Sequence, residues 1–429
     1  MRRTFATLIA IIAVCLNYVM AQEQPVSQAF SITTSPAENC ANAMNFSWAT
    51  DQTTTTATLE VTTLKDKTWE KSIKKTFTGE FCSVFDSLYS KKPDGKNFYE
   101  DVKINKYNGS ITGLKKNTAY KYRIIVGDNI SEEYQFQTAG SSKWSACIIS
   151  DFHVYAPLYK RTQAGMEMIK TTEQYSQPFD WVLHLGDITA WGGSYSFWRE
   201  LYKEEPFKKY MWAGVNGNHD NMTRTNKGNS NQFFRQTAAY PLNGYKGEEG
   251  VCYYFYYGDV LFIMLNNENM RSDEGLQAAQ EWVKKVVAEN PARYKVVCEH
   301  YQWFFGTNGK SSQYSRWSKL FDELGIDLAL AGNNHIYVST HPLYDGKVVK
   351  PGQGTIYIQT PSSDNERGQN LISEGAPEHN ADLIKFRWNE GPQTVGGMHM
   401  KVTKKKLTLT LLDRNGKVID VTTVKAKKR

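Results

Sequence analysis

One short segment of the chain, residues 215–221, places three chemically useful side chains next to one another behind a glycine. Asn218 offers a neutral oxygen to a hard metal ion, His219 can act as a base, an acid or a ligand, and Asp220 has a carboxylate that can fix the tautomer of a neighbouring imidazole. Short segments rich in Gly and Asn are usually turns. The segment is therefore informative only if other parts of the chain supply partners for it.

Such partners occur where predicted strands end. Beyond residue 140, short apolar runs alternate with helical patterns, an order typical of a layered α/β domain, in which polar residues after the carboxyl ends of strands form the site. Five of these strands are followed by metal-ligand residue types, and the five groups contain four of the eight histidines of the chain. Together they predict one metal site. The groups are Asp151-Phe152-His153, Gly186-Asp187, Asn218-His219-Asp220, Glu299-His300 and Asn333-Asn334-His335.

The strands and helices that must position these residues are predicted from the spacing of apolar residues along the sequence. An extended backbone would send the side chains of Asp151 and His153 to the same side, towards one ion. Asp187 could bridge two ions through its two oxygens. The predicted strands span 147–150, 181–185, 260–265, 294–298, 328–331 and 356–359, and the predicted helices span 162–175, 194–204, 274–290 and 314–324.

The first third of the chain has a different character. Between residues 22 and 140 the sequence consists of short Thr- and Val-rich runs broken by Gly and Asn, without a sustained helical period, which predicts an all-β sandwich domain. Residues 111–123 and 136–138 resemble the late strands of fibronectin type III domains. We therefore expect one domain over 22–140 and a second over 141–429 that includes the C-terminal strands.

Residues 1–21 have the features of a secretory signal peptide, with two arginines, an apolar run over 8–16 and a cleavage site after Ala21. Lipid anchoring through Cys15 is disfavoured, because the residue before it is bulkier than lipoprotein processing usually accepts. The apolar run is too short to span a bilayer. We expect a secreted or periplasmic protein without membrane insertion.

Charge and cysteine usage add two expectations. The formal net charge of +7 is a modest excess whose lysines gather at 404–406 and near the C-terminus, which favours a solvated surface over a nucleic-acid interface. Export permits disulfides, and Cys40 and Cys82 are the candidate pair. Cys147 and Cys298 lie in apolar runs and are expected to be buried free thiols.

The five groups, in this order and spacing, resemble the calcineurin-like metallophosphoesterases, whose pattern runs D-x-H, G-D, G-N-H-[DE], a lone H after a strand, and G-H-x-H. The resemblance covers residues 145–358. With the sandwich in front and a similar closing segment over 396–418, the whole chain is similar to the purple acid phosphatases. This implies a layered α/β/β/α phosphoesterase domain behind the all-β domain.

The resemblance also implies roles for single residues. His219 would be the general acid, with Asp220 orienting it, while two metal ions would clamp a small phosphate ester and lower the pKa of a water to form hydroxide. The first ion would be held by Asp151, His153, Asp187 and His335, and the second by Asp187, Asn218, His300 and Asn333.

Three residues depart from the purple acid phosphatase pattern. Ala190 stands where those enzymes have an iron-binding tyrosine, and His153 is a ligand type that they lack at its position. Asn333 replaces the first His of G-H-x-H, and an amide oxygen suits manganese or magnesium better than zinc. We therefore expect Fe, Zn or Mn, with a second metal that is weakly bound, exchangeable or absent.

The resemblance leaves several functions open. A phosphomonoesterase is the simplest, while phosphodiester or pyrophosphate cleavage would use the same metal clamp. A catalytically weakened binding protein is the alternative from another class, although a poised acid such as His219 argues against it. His341, six residues after His335, is a candidate substrate contact.

Overall fold

The computed structural model describes residues 27–88, 98–155, 160–222, 231–305, 309–364, 381–391 and 394–427. Within these ranges an all-β region precedes an α/β region, in the predicted order. The predicted signal peptide, residues 1–21, lies outside the described residues. Among the helices that are described, none is long and apolar enough to cross a membrane.

The N-terminal region consists of two sheets. One has the strand order β1-β2-β6-β5 and the other the order β4-β3-β7-β8, with β9 also pairing with β7. Trp48 stacks on Tyr107 in the first sheet, and Phe46 meets Tyr122 of the second sheet edge-on at 4.9 Å between ring centroids. The strands are β1 Phe30–Pro36, β2 Ala43–Asp51, β3 Thr56–Thr63, β4 Ile73–Thr78, β5 Glu80–Leu88, β6 Phe98–Thr112, β7 Ala119–Val126, β8 Asn129–Ile130 and β9 Tyr134–Gln137.

The predicted all-β sandwich is therefore present, because aromatic side chains from both sheets meet in one core. The exact domain boundaries and the likeness to fibronectin type III domains remain predictions from the sequence.

The α/β region contains two larger sheets. Their strand orders are β12-β11-β10-β24-β25-β26 and β13-β14-β15-β18-β22-β19-β23, and β16-β17 and β20-β21 form two short hairpins. The strands are β10 Trp144–Ile149, β11 Trp181–His184, β12 Met211–Gly214, β13 Tyr253–Tyr257, β14 Val260–Met264, β15 Tyr294–Cys298, β16 Phe304–Phe305, β17 Gly309–Lys310, β18 Leu328–Ala331, β19 Tyr337–Thr340, β20 Leu343–Tyr344, β21 Lys347–Val348, β22 Ile356–Gln359, β23 Ile384–Trp388, β24 Gly396–Val402, β25 Leu407–Asp413 and β26 Val418–Val424.

Helices cover the outer faces of both sheets. Helix α1 packs on β10 and β24, while α5 and α6 share a core with the second sheet. This is the predicted α/β/β/α layering. The helices are α1 Lys160–Ser176, α2 Tyr195–Leu201, α3 Glu205–Lys209, α4 Asn231–Arg235, α5 Asp273–Glu289 and α6 Ser312–Leu324, with short 3₁₀ turns at His219–Asn221, Asn269–Arg271 and Ala381–Leu383.

The strand sequences are almost continuously apolar, because successive side chains point to opposite faces of a sheet and both faces are covered. In β11, Trp181 and Leu183 face the core between the two sheets, whereas Val182 faces the helices. Since both faces of a covered sheet are buried, most positions in such a strand are apolar, although β11 ends in the buried His184. The predicted strands are thereby confirmed to within three residues at each end.

Local sequence also sets the helix ends. Ser272 precedes α5 and its Oγ accepts the backbone N–H of Gly275 at 3.0 Å, and Ser311 precedes α6 and accepts that of Gln313 at 3.1 Å. Gly325 ends α6 in the left-handed conformation, with a φ of 63°.

The predicted pairing of Cys40 with Cys82 is wrong. The Cys40 thiol is buried 3.9 Å from the sulfur of Met211, whereas Cys82 lies on β5 and its sulfur accepts a hydrogen bond from Gln236 at 3.4 Å. The five cysteines of the described chain are all free thiols. Cys147 is fully buried, as is Cys298, as the apolar runs around them predicted.

Candidate metal centre

The strand ends meet at one edge of the two facing sheets. Strands β10, β11 and β12 are parallel to one another, and β14, β15, β18 and β22 are parallel in the second sheet. The carboxyl ends of parallel strands lie on the same edge, so the segments that follow them converge. The five predicted ligand groups all leave the sheets at this edge.

Aspartates and histidines from these segments form three overlapping ligand groups. Within each group, one ligand atom from each residue lies within 4.8 Å of the others. Asp151 and Asp187 each occur in two groups, which fits two neighbouring ions that share ligands. The groups are Asp151, His153 and His335; Asp151, Asp187 and His300; and His153, Asp187 and His219.

Asp187 is central to this arrangement. Its Oδ2 lies 3.2 Å from His153 Nε2 and 3.2 Å from His300 Nε2. Burial raises the pKa of the Asp187 carboxyl, but the charge of His300 and hydrogen bonds from both histidines hold that pKa well below its ordinary value. The carboxyl group is thus ionised, which is the form that binds a cation.

The chemistry of the donor set fits metal ions. Asn218 Oδ1 is buried and has no hydrogen-bond partner within the described chain. An amide oxygen without a partner costs about 1–3 kcal/mol when buried, and a cation beside it would remove that cost. Together with carboxylate and imidazole groups, this oxygen makes a set that suits divalent or trivalent ions.

The backbone of the ligand segments is unusual. Positive φ angles occur at ten non-glycine residues of the described chain, and five of these are predicted ligands. Such a conformation costs about 1–3 kcal/mol per residue and concentrates at functional sites. The five are Asp151 (φ 56°), His153 (φ 48°), Asp187 (φ 51°), Asn333 (φ 67°) and His335 (φ 56°).

The predicted extended backbone at Asp151 and His153 is therefore wrong. The two side chains still converge, but left-handed turns at both residues bring them together instead of strand alternation. The chain stops pairing as a regular strand after Ile149, so no extended period carries into the site.

Two glycines permit the close packing of these segments. A Cβ at Gly217 would lie 2.2 Å from the backbone nitrogen of Asp187, and one at Gly186 would lie 2.3 Å from His300 Nδ1. Both distances are far below van der Waals contact. No side chain fits at either position without moving a predicted ligand.

Two hydrogen bonds hold His219, one from its ring and one from its backbone N–H. Its Nδ1 lies 2.8 Å from the carbonyl oxygen of Ala190, so Nδ1 carries a proton and donates it. Its backbone N–H donates to Asp187 Oδ1 at 2.8 Å. Nε2 is then the ring nitrogen that can exchange a proton with a substrate.

The predicted role of Asp220 as the residue that orients the His219 imidazole is wrong. Its carboxylate accepts the backbone N–H groups of Gly217 at 2.9 Å and Thr189 at 3.0 Å. The two residues follow each other in a 3₁₀ turn, so their side chains point in different directions. Asp220 braces the turn, and the Ala190 carbonyl orients the ring.

Asn333 lies beside the cluster with its side chain already engaged. Its backbone N–H donates to Asp151 Oδ2 at 3.1 Å, and its Nδ2 donates to Gln302 Oε1 at 2.6 Å. The hydrogen bond to Gln302 orients the amide so that Oδ1 is the atom left to meet a cation. Whether Asn333 binds the second ion stays a prediction.

Asp364 is a site residue that the sequence reasoning missed. It is fully buried, and its Oδ2 lies 3.2 Å from His153 Nδ1. It follows β22, and so the rule of polar residues after strand ends applies to it too. It lies five residues past the strand, further than any predicted ligand lies from the end of its own strand.

Three other histidines lie apart from the ligand groups. His341 is exposed beyond the end of β19, which runs antiparallel to β22 and therefore leads away from the cluster. The structure does not bring it to the site as predicted. His184 is buried within β11, where its Nδ1 accepts the backbone N–H of Gly186 at 3.1 Å, and His399 is a strand residue of β24.

Comparison with known proteins agrees with this architecture. The family model for the calcineurin-like phosphoesterases matches residues 146–337, and the model for the N-terminal domain of purple acid phosphatases matches residues 29–138. A search of curated proteins gave no match.

Two solved structures share the fold across both regions. A purple acid phosphatase, PPD1, from yellow lupin (Lupinus luteus) seeds is 15% identical with a TM-score of 0.72, covering 94% of this chain and 75% of its own. PhoD is 12% identical with a TM-score of 0.58, covering 93% of this chain and 94% of its own. At these identities the likeness establishes the fold alone. The family models, in the same order as the two structural regions, show that the chain is a purple acid phosphatase-like member of the metallophosphoesterases, a family of hydrolases.

Proposed function

We propose that this protein is an exported phosphatase that hydrolyses small phosphate monoesters at a centre of two metal ions. The observation that supports the proposal most strongly is the environment of Asp187. Its Oδ2 lies 3.2 Å from His153 Nε2 and 3.2 Å from His300 Nε2. Its Oδ1 accepts the backbone N–H of His219. One carboxylate thus connects both metal positions to the candidate acid.

The ligand assignment combines these contacts with the family resemblance. When bound, the ions would hold the phosphate, neutralise its charge and lower the pKa of a water molecule. The amide oxygens at the second position favour a harder ion such as manganese there, with iron or zinc as the other candidates. The first ion would be held by Asp151, His153, Asp187 and His335, and the second by Asp187, Asn218, His300 and Asn333.

His219 is the proposed general acid. The hydrogen bond from Nδ1 to the Ala190 carbonyl persists in the neutral and the protonated ring, so it stabilises the imidazolium without consuming the Nε2 proton. That proton would pass from Nε2 to the oxygen of the departing alcohol. Asp220 supports this step indirectly, by holding the backbone of the turn in which His219 lies.

Export is proposed from the sequence of residues 1–21. Amino-terminal sequencing of protein recovered outside the cytoplasm should begin at Gln22. An intact Met1 on the recovered protein would contradict removal of the segment.

The test of the activity is reconstitution of purified protein with manganese, zinc or iron, followed by assay with an aryl phosphate and, beside it, a bis-aryl phosphate. Faster release from the monoester is expected, and His219→Ala and Asp187→Ala should each lower the rate by orders of magnitude. His341→Ala is the matched control and should be unaffected. The absence of turnover with every metal, together with no bound metal in elemental analysis, would refute the proposal.

A further inference from the structure

The segment after β22 is fixed against the segment after β10. The backbone N–H of Ser363 donates to the carbonyl oxygen of Ser150 at 2.9 Å, and Ser362 Oγ donates to the carbonyl oxygen of Asp151 at 3.0 Å. The backbone N–H of Asp364 in turn donates to Ser362 Oγ at 3.1 Å. These bonds hold the segment that contains Asp364 against the segment that contains Asp151.

The carboxylate of Asp364 lies directly behind a predicted ligand. Its Oδ2 is 3.2 Å from His153 Nδ1, while His153 Nε2 is 3.2 Å from Asp187 Oδ2. The carbonyl oxygen of Asp151 also lies 3.0 Å from Nδ1. With two oxygen atoms facing Nδ1, a neutral ring would carry its proton there. Nε2, which faces Asp187 as a donor when no ion is bound, would then offer its lone pair to the ion.

Arg161 supplies a compensating charge. Its Nε lies 3.9 Å from Asp364 Oδ2, and its Nη1 donates to the carbonyl oxygen of His153 at 3.3 Å. A fully buried carboxylate is stable in ionised form only with a cation or strong donors nearby. The guanidinium group contacts both Asp364 and the backbone of the residue that Asp364 faces.

Asp364 is not itself a member of the ligand groups found among the described residues. We propose that Asp364, supported by Arg161, is a positioning residue that holds His153 in the tautomer and orientation needed to bind the first metal ion. The inference rests on the proposed metal site but concerns binding of the ion and not turnover. It concerns His153, one of the three positions at which the sequence departs from the purple acid phosphatase pattern.

The experiment measures metal affinity by competition of purified protein with a chromogenic chelator, using manganese and zinc separately. Asp364→Asn keeps the shape of the side chain but removes its charge, and it should weaken metal binding at the first site, the tighter of the two, about tenfold. Asp364→Ala should weaken binding at that site up to about 100-fold. The other site should change by less than about threefold, since His153 belongs to the first ligand set.

Asp180→Asn is the matched control. The Asp180 carboxylate accepts the backbone N–H of Ser145 at 2.8 Å, but it lies at the opposite end of β10 from the ligands. This variant should bind both ions as the wild type does. Thermal unfolding of every variant without metal reports whether the fold is retained.

A second comparison separates positioning from a general structural role. If Asp364 acts through His153, then His153→Ala combined with Asp364→Asn should bind the first ion no more weakly than His153→Ala alone. Unchanged affinity in Asp364→Asn, or a double variant that loses a further tenfold, would overturn the proposal. Wild-type protein that binds two ions but hydrolyses no phosphate ester would refute the proposed function, while the affinity loss in Asp364→Asn would still support positioning.

Discussion

Lys106 provides a stability prediction whose size and pH dependence follow from its surroundings. It lies on β6 in the N-terminal sandwich with 8% of its surface exposed, and its Nζ donates to Ser47 Oγ. Burial, slightly offset by the neighbouring Cys82, lowers the pKa of Lys106 from 10.5 to about 7. The folded protein therefore holds this proton less tightly than the unfolded chain.

The lowered pKa of Lys106 determines how the free energy of unfolding changes with pH. Below pH 7 both states are protonated and the full penalty applies, roughly 5 kcal/mol for a gap between 10.5 and about 7. The penalty decreases as the pH rises from 7 to 10.5, because the folded state has lost the proton and the unfolded state has not. Lys106→Met removes it, at a cost of about 1 kcal/mol for the lost hydrogen bond to Ser47.

The assay is thermal unfolding of wild type and Lys106→Met at about pH 6, 8 and 10 with equal metal and salt. The variant should be more stable at pH 6, and the difference should become smaller towards pH 10. Lys103→Met, an exposed lysine on the same strand, should show no such trend. A variant less stable than the wild type at pH 6, or a difference independent of pH, would refute the reasoning.

Three further predictions concern the site and the thiols. Gly217→Ala should lower kcat/KM at least 100-fold, because its Cβ would displace the backbone of Asp187 by about 1 Å; near-normal activity would contradict the packing. Asp220→Ala should lower the free energy of unfolding by about 1–3 kcal/mol in urea titrations, because it leaves the N–H groups of Gly217 and Thr189 unpaired, whereas an unchanged midpoint would show that they find other partners. Thiol titration without reductant should find five free thiols in denatured mature protein but fast reaction only at Cys82 when folded; three thiols would indicate a disulfide.

Much of the fold was predictable because its signals are local. The strands of the α/β region read as short apolar runs, since both faces of each sheet are covered, and Ser272 and Gly325 mark helix ends by their own capping chemistry. The candidate ligands were predictable because parallel topology places the ends of the parallel strands at one edge. Each of these inferences needs only neighbouring residues and a general rule of chain geometry.

The errors involve contacts between distant parts of the chain. Nothing near Cys40 in sequence indicates that its thiol packs against Met211, and nothing near His219 indicates that the Ala190 carbonyl orients its ring. The left-handed backbone at Asp151 is imposed by the packing of several segments on one another. Asp364 could have been found only by following the last parallel strand further beyond its end.

Anomalous X-ray scattering from metal-loaded crystals would show whether two metal ions share Asp187. We expect two peaks about 3.5–4 Å apart, both in contact with the Asp187 carboxylate, with Asn218 Oδ1 and His300 Nε2 on one ion and His153 Nε2 on the other. No ordered metal at this edge of the sheets, or a single ion that leaves Asp187 uncoordinated, would contradict it.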